Sequence, residues 1–217
     1  MKIKKQNEPL SSLTHLIGLF LAITALVLLI VFAVKKGTAL HVVAYTIFGS
    51  SMVLLYLAST CYHFVDVQGK WKNILRKIDH AMIYILIAGT YTPIALVALR
   101  GGWGWSIFGV VWGLALAGII LKISKLDFHG WKSVFLYIGM GWLAIIAFIP
   151  LLQNIPIVGL FWLVLGGVLY TFGTIFFGLD KIIKRSRWFG MHEIFHLFVM
   201  AGSFCHFWLM LKIVVYL

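Results

Sequence analysis

Histidine, serine and aspartate residues recur inside apolar stretches of this 217-residue sequence, at spacings suited to metal binding. His192 and His196 are four positions apart, which places both imidazole rings on one face of a helix. Such a pair can bind one ion without bending the helix. Ser59 and His63 have the same spacing, and Asp79 lies near the start of another apolar stretch. These residue types and spacings predict a metal site inside the protein.

Three imidazoles with an oxygen group nearby are typical of a catalytic zinc site, in which three protein ligands leave one position open for water. The predicted ligands are His63, His192 and His196. Bound zinc lowers the pKa of water towards about 7. Asp79 could orient this water or accept its proton, and Ser59 could hydrogen-bond to the water or to a substrate oxygen. Glu193 is a second candidate base, so the candidate catalytic residues are Asp79, Ser59 and Glu193.

Other histidines in apolar stretches have simpler explanations. We expect His15 to pack against the site or support it rather than bind the ion. His80 neighbours Asp79 but points about 100° away on a helix, so packing is favoured for it too. His206 lies ten positions beyond His196, too far along a helix to reach the same ion. We expect it to be a buried hydrogen-bonding residue.

The composition of the sequence indicates that membrane-spanning segments hold these residues in place. The sequence is 62% hydrophobic and 11% charged, with a mean hydropathy of +1.03. Soluble domains average about 45–50% apolar and about 25% charged residues. A helix that crosses the hydrocarbon core needs about 20 apolar residues. Runs of suitable length cover residues 12–34, 40–64, 78–98, 103–122, 131–151, 156–179 and 190–215.

These runs are continuous rather than alternating, which favours helices over a β-barrel. We therefore predict an all-α fold: a polytopic membrane protein with a bundle of seven transmembrane helices. The spans follow one another closely, so we expect one domain over residues 1–217 with a short tail at residues 1–11.

The distribution of lysine and arginine predicts the orientation, because loops on the cytoplasmic side are enriched in both. Four of the 18 fall on one side of the predicted membrane: Lys35, Lys36, Arg100 and Lys212. The other fourteen share the opposite side: Lys2, Lys4, Lys5, Lys70, Lys72, Arg76, Lys77, Lys122, Lys125, Lys132, Lys181, Lys184, Arg185 and Arg187. The N-terminus is predicted to be cytoplasmic and the C-terminus outside. The protein is expected in the cell membrane.

This orientation supports the metal site independently. His63 lies near the end of a span that runs inwards, whereas Asp79, His192 and His196 lie near the start of spans that run outwards. All four are therefore predicted at the same depth, in the cytoplasmic leaflet.

The net charge of +12 does not indicate a nucleic-acid partner, because the basic residues form short clusters between apolar runs. Anionic lipid headgroups are the better counter-charge for such clusters. The expected partners are membrane lipids and a lipid-like substrate, with no nucleic acid.

The segment His192-Glu193-x-x-His196 also fits the zinc-protease signature, with Glu193 as general base. An intramembrane metalloprotease is therefore an alternative. Such enzymes take a third ligand from an aspartate in a later apolar segment, and no predicted span follows the seventh. This interpretation is less favoured.

The same residues resemble another family more closely. The elements Thr14-His15, Ser59-x-x-x-His63 and His192-x-x-x-His196, together with the stretch from Asp79 to Pro93, resemble the bacterial hemolysin III proteins. These belong with the progestin and adipoQ receptor (PAQR) group. The resemblance implies seven spans with a cytoplasmic N-terminus, zinc bound by the three histidines, and Asp79 and Ser59 close to the metal. Relatives often have no carboxylate where Glu193 stands.

The resemblance implies a zinc-dependent hydrolase of lipid amide or ester bonds, or a factor in membrane-lipid homeostasis. A cytolytic pore is the alternative that the family name implies, although the spans carry few polar residues away from the proposed metal. A third alternative is a receptor-like or structural seven-helix module in which zinc only joins the helices.

Overall fold

A computed structural model describes residues 9–65, 69–124, 130–180, 182–183 and 190–217. The helices are α1 (Pro9–Lys36), α2 (Ala39–Phe64), α3 (Lys70–Pro93), α4 (Gly101–Ile123), α5 (Trp131–Gly141), α6 (Phe148–Asn154), α7 (Ile157–Leu179) and α8 (Met191–Lys212). A π-helix at Ile94–Leu99 extends α3, and a 3₁₀ turn at Val214–Tyr216 follows α8. A 3₁₀ segment, Leu143–Ala147, joins α5 to α6. The described part of the chain contains no β-strand, which confirms the all-α prediction.

Seven helical segments of the described chain are long and apolar enough to cross a membrane. Their bounds are Leu10–Lys36, Ala39–Phe64, Lys70–Leu99, Gly101–Ile123, Trp131–Asn154, Ile157–Leu179 and Met191–Tyr216. The prediction of seven spans is confirmed, and the protein is a multi-pass membrane protein. Residues 1–8 of the predicted tail lie outside the described residues, and α1 already includes the rest of that tail.

The third span differs most from its predicted start. The helix begins at Lys70 rather than at residue 78, because Lys72 and Arg76 lower the local hydropathy without interrupting the helix. Asp79 was expected in the first turn of this span. It lies instead in the third turn of α3, so its backbone groups are already inside the helical hydrogen-bond ladder.

One end of the bundle collects the starts of α1, α3, α5 and α8 and the ends of α2, α4 and α7, because consecutive spans alternate in direction. We call this the basic end. Lys72 Nζ donates to the carbonyl of Tyr62 at 2.6 Å and lies 4.5 Å from the centre of its ring. Lys77 Nζ donates to the carbonyl of Ile123 at 3.2 Å. These cations satisfy free carbonyls at the ends of α2 and α4 and complement the negative ends of both helices.

The span formed by α3 and its π-helical extension is the most enclosed. In its most apolar stretch 78% of the residues are buried, against 17% in the corresponding stretch of α7. Outward-facing side chains are large and apolar even where they are highly exposed, as at Phe20, Ile157 and Phe172. Such an outer surface suits acyl chains rather than water. The third span therefore sits at the centre of the bundle, and Asp79 lies towards its basic end.

The fifth span is interrupted by a side chain from the third. The Tyr91 hydroxyl donates to the carbonyl of Gly141 at 2.8 Å and accepts from the backbone N–H of Ala144 at 2.8 Å. A polar group inserted into the helical ladder displaces its own hydrogen bonds and bends the helix. This insertion accounts for the 3₁₀ segment between α5 and α6.

Candidate metal centre

The structure brings together three imidazole rings at the basic end: His63 from the last turn of α2, and His192 and His196 from the first two turns of α8. We call them the histidine cluster. Nε2 of His192 lies 3.2 Å from Nε2 of His63, and one nitrogen from each of the three rings lies within 4.8 Å of the others. His63 and His196 are 2% and 1% exposed. The three predicted ligands thus converge.

The donor set and spacing fit a single metal ion. Two imidazole nitrogens, each about 2.0–2.1 Å from a zinc ion at a tetrahedral angle, lie roughly 3.3 Å apart. The separation between His63 and His192 agrees with this value. Ring nitrogens at such a distance are satisfied either by an N–H···N hydrogen bond from one imidazole to the other or, when both are unprotonated, by one cation between them. The cluster could therefore hold a metal ion.

The orientation of His196 is fixed from its other side by α1. Its Nδ1 lies 3.2 Å from the carbonyl oxygen of Ser11 and 3.1 Å from Oγ1 of Thr14. A carbonyl oxygen can only accept, so Nδ1 carries the proton and Nε2 keeps its lone pair. A backbone carbonyl in this position is a common partner of metal-binding histidines, because it fixes the tautomer and the ring plane.

His15 lies against the cluster without entering it. Its ring stacks on that of His196 with 3.5 Å between centroids and meets Tyr56 edge-on at 5.1 Å. The ring of His15 is 3% exposed and presents its face to the neighbouring imidazole. The structure thus gives His15 the packing position that the sequence indicated.

Asp79 and Ser59 lie beside the cluster. The Asp79 carboxyl group interacts electrostatically with the Ser59 hydroxyl and with the imidazole of His63. Ser59 is 2% exposed and is one helical turn from His63 on α2. An acid from α3 and a hydroxyl from α2 therefore adjoin the histidine cluster.

Glu193 occupies a different position from the other two candidate catalytic residues. Its Oε1 accepts a hydrogen bond from the Ser11 hydroxyl at 2.7 Å, and its Oε2 accepts one from the backbone N–H of Gly190 at 2.8 Å. The second bond caps the start of α8. A fully buried carboxylate with these two bonds joins α8 to α1. The observed role of Glu193 is therefore to cap and anchor the helix that carries two of the histidines.

Three residues that support the cluster were not assigned this role from the sequence: Ser11, Thr14 and Asp180. Asp180, at the end of α7, accepts from the backbone N–H of His192 at 3.2 Å. Its position at a span end close to Lys181 and Lys184 would suggest an interfacial ion pair from the sequence alone. Ser11 and Thr14 are small polar residues in the first turns of an otherwise apolar helix. Both lie at the same predicted depth in the membrane as the three histidines. This shared depth is the feature of the sequence that could have indicated their role.

A cavity of about 210 Å³ lies beside the cluster, among α3, α5, α7 and α8. Its walls are largely apolar and include Ile83, Ile87, Leu163 and Val199. Phe177 and Phe195 also line it, and both rings contact His192 at centroid distances of 6.1 and 5.9 Å. One water molecule needs only about 10–15 Å³. The cavity is thus large enough for part of an organic ligand next to the histidine cluster.

Two further histidines, His80 and His206, line the same cavity. His80 meets Phe177 edge-on at 6.3 Å, consistent with packing. His206 stacks on Tyr170 at 5.5 Å, but its buried Nδ1 has no hydrogen-bond partner among the described residues. His206 is buried, as expected, but a hydrogen bond from its Nδ1 is not found among the described residues. Its Nε2 lies only 2.6 Å from where a Cβ on Gly166 would stand, so this glycine is what allows the ring to fit.

Comparisons with known proteins cover nearly the whole chain. A family profile described as "Haemolysin-III related" matches residues 3–207. The sequence is 46% identical to the "Hemolysin-3 homolog" of Bacillus subtilis (strain 168), over 95% of this chain and 93% of that protein. It is 44% identical to "Hemolysin-3" of Bacillus cereus, over 91% and 87% of the two chains. The human "Monocyte to macrophage differentiation factor" is 28% identical over 76% of this chain and 68% of its own.

Proposed function

The chain belongs to the Haemolysin-III related family, and from this premise we propose that it is a zinc-dependent hydrolase of lipid amide or ester bonds, with a role in membrane-lipid homeostasis. The observation that carries the proposal is the convergence of three buried or half-buried imidazoles next to an aspartate and a serine. Such a set of ligands and acid is typical of catalytic zinc sites.

His63, His192 and His196 would hold the zinc ion. Bound there, zinc would polarise a substrate carbonyl and make a neighbouring water acidic enough to react near neutral pH. Asp79 takes the proton from that water and delivers it to the leaving group. Ser59 holds the Asp79 carboxyl group in place and can donate to a substrate oxygen. Among the described acids, Asp79 suits the base better than Glu193, whose oxygens accept from Ser11 and Gly190.

The apolar cavity supports a lipid as the substrate. Phe177 and Phe195 line the cavity and lie beside His192, so an acyl chain in the cavity would be separated from the cluster only by these two rings. Apolar walls lower the local dielectric and exclude water, which strengthens the interaction of Asp79 with the reacting groups. At the predicted depth, a membrane lipid reaches this cavity without leaving the bilayer.

The test is lipid turnover by purified protein in detergent or nanodiscs, with amide-linked and ester-linked lipids compared. Wild-type protein with zinc added is expected to release fatty acid from one of the two classes, whereas His196→Ala is expected to give background. Equal, background-level hydrolysis by both proteins across both classes would contradict the proposal. Metal analysis of the same samples shows whether the ion is zinc.

Cytolysis is the second candidate, and the observation that favours it is the name of the Bacillus cereus relative. Dye release from liposomes distinguishes the two functions. Release that persists in a His63→Ala variant, which lacks one cluster ligand, would separate membrane lysis from the metal and support a pore.

A structural role for the metal is the third candidate, since the histidine cluster links α2 to α8 and His196 in turn contacts α1. If zinc removal unfolds the bundle while Asp79→Ala leaves lipid turnover unchanged, the ion only joins the helices. Loss of turnover in Asp79→Ala with the metal retained would instead support the hydrolase.

A further inference from the structure

Lys122 is a buried cation at the basic end of the cavity. The sequence placed it among the loop lysines, but it lies in the last turn of α4 and is 1% exposed. Lysine is almost never fully buried unless it is paired, because moving an ammonium group out of water is costly. A lysine that served only the charge bias between the two membrane faces would lie at the surface, so the burial of Lys122 needs another explanation.

The described residues compensate this charge only weakly. Nζ of Lys122 donates to Oγ of Ser133 at 3.5 Å, which is a long bond to a neutral group. Asp79 attracts the ammonium group, and Arg76 and Lys77 repel it. Within the described chain, no carboxylate lies within ion-pair distance of Lys122. Among the described residues, the charges around Lys122 are therefore net positive.

The cavity gives this cation a specific surrounding. Lys122, Ser133, Tyr137 and His80 line its basic end, whereas the walls beyond them are mostly apolar. Tyr137 donates through its hydroxyl to the carbonyl of His80 at 3.0 Å, which holds this polar end together. A ligand that satisfies both parts has one anionic group and one apolar chain.

We propose that the cavity binds an anionic single-chain amphiphile, with its phosphate or carboxylate on Lys122 and Ser133 and its acyl chain between α3, α5 and α7. Lysine binds either anion as a point charge, and Ser133 adds a hydroxyl donor. The inference rests on the proposed lipid function and narrows its substrate class to lipids with an anionic headgroup. It adds Lys122 as the residue that sets this specificity.

Tryptophan fluorescence gives a direct measure of binding, because Trp142 lines the cavity. The probes are amphiphiles with one brominated acyl chain, since bromine quenches nearby tryptophan. They are a monoacylglycerol phosphate, a fatty acid and, as the neutral control, a monoacylglycerol. The part of the quenching that disappears in Trp142→Phe reports the cavity alone. The full-length protein is measured in nanodiscs, with inorganic phosphate as a competitor without a chain.

Lys122→Met is expected to weaken binding of the anionic probes about tenfold or more, since a hydrogen bond to a charged group is lost. Lys122→Arg is expected to retain it, and the neutral probe is expected to bind weakly to all three proteins. The tighter of the two anionic probes identifies phosphate or carboxylate as the headgroup. Equal affinity of wild type and Lys122→Met for both anions, or no binding of either, would overturn the proposal. So would displacement of the probes by inorganic phosphate at concentrations no higher than those of the probes, because the acyl chain would then add nothing to binding.

A second pair of variants tests the cavity without changing its charge. Gly167 lines the cavity and has open space where a Cβ would stand, so Gly167→Leu fills the cavity while Lys122 stays in place. Gly109 is equally open but is not among the residues that line the cavity, which makes Gly109→Leu the matched control. Gly167→Leu is expected to weaken every chain-bearing probe, and Gly109→Leu none. Equal binding by both would contradict the placement of the chain.

Because these experiments measure binding rather than turnover, they are repeated in a His196→Ala background. If the His196→Ala protein binds the anionic probes but hydrolyses no lipid, the result supports the Lys122 site. The hydrolase proposal is then judged only by the turnover experiment described above. Hydrolysis of neutral lipids by wild type and Lys122→Met alike would support the hydrolase and refute the anionic specificity.

Discussion

Nε2 of His63 and Nε2 of His192 lie 3.2 Å apart, although 129 positions separate the two residues in the chain. Neither ring could reach the other without the packing of α2 against α8. At this distance one imidazole can donate an N–H···N hydrogen bond to the other, or both can bind one cation through their lone pairs. Since His196 supplies a third imidazole within reach of both, the arrangement could hold a metal ion at this position.

The first prediction concerns metal content. Wild-type protein purified without chelator is expected to contain one equivalent of metal, and single alanine variants of His63, His192 or His196 are expected to contain little, since two imidazoles form an incomplete site. Inductively coupled plasma mass spectrometry gives both the amount and the element. His80→Gln is the control, because His80 lines the cavity outside the cluster. Equal metal in all variants would show that the ion, if present, is bound elsewhere.

The second prediction concerns the partner of His196. Thr14→Val removes the hydroxyl that lies 3.1 Å from Nδ1 of His196 and leaves the imidazole in place. Loss of such a supporting contact typically lowers metal affinity by about 10–100-fold. Competition with a chromogenic chelator measures the change.

Thr24→Val is the matched control for this variant. Thr24 lies on the same helix but is exposed, and its hydroxyl bonds only to the carbonyl of Phe20 in the preceding turn. Unchanged affinity in both variants would show that the Thr14 hydroxyl does not support the site. A loss in both would indicate a general effect of removing hydroxyl groups from α1.

The third prediction separates two roles for Glu193. In Glu193→Gln, the amide oxygen can still accept from the N–H of Gly190, and the amide group can still pair with Ser11. A capping and anchoring residue should tolerate this change, so metal content and lipid turnover are expected to persist. Glu193→Ala is expected to lower the free energy of unfolding by about 1–3 kcal/mol, because it leaves buried donors without partners.

Thermal unfolding in detergent measures the stability, and turnover is measured on the same samples. A large loss of turnover in Glu193→Gln, with metal and stability retained, would assign the residue a role as a base after all.

Much of the fold could be predicted because the membrane imposes a simple rule. Every span must be helical, apolar and about 20 residues long, so composition and run length sufficed to place seven of them. The approach of His63, His192 and His196 could also be anticipated. The four-residue spacing puts His192 and His196 on one face of a helix, and the alternating direction of the spans puts all three histidines at the same depth in the membrane. The start of the third span could not be placed this way, since hydropathy marks the membrane boundary and α3 continues beyond it to Lys70.

The parts that sequence reasoning missed depend on contacts between distant helices. Ser11 meets Glu193 across 182 positions, and no local pattern predicts which donor a buried carboxylate will find. Lys122 was counted as a loop residue because a lysine next to other lysines at a span end usually lies at the surface. Its burial follows from the way α4 packs beside Ser133, which only the assembled bundle shows.

The fourth prediction concerns orientation. After replacement of the native Cys61 and Cys205 by alanine, single cysteines are introduced at Lys36 and Lys70, which are both exposed and lie at opposite ends of the bundle. A membrane-impermeant maleimide is expected to label Lys36→Cys on intact cells, whereas Lys70→Cys is labelled only after permeabilisation, because the basic end is predicted to be cytoplasmic. The reverse pattern would place the histidine cluster in the outer leaflet and would contradict the orientation predicted from the lysine and arginine residues.

The fifth prediction tests Asp79 as the proton carrier. Asp79→Asn keeps the size of the side chain and a hydrogen-bonding partner for Ser59, but it removes the base. Lipid turnover is expected to fall about 10²–10⁴-fold, the usual contribution of a positioned general acid or base, while metal content stays at the wild-type level. Ser59→Ala is expected to lower turnover less, because Asp79 remains present and only its orientation is released. Turnover that survives Asp79→Asn but disappears on removal of the metal would mean that another group carries the proton. The carboxyl group of Asp79 would then stabilise the site rather than take part in the reaction.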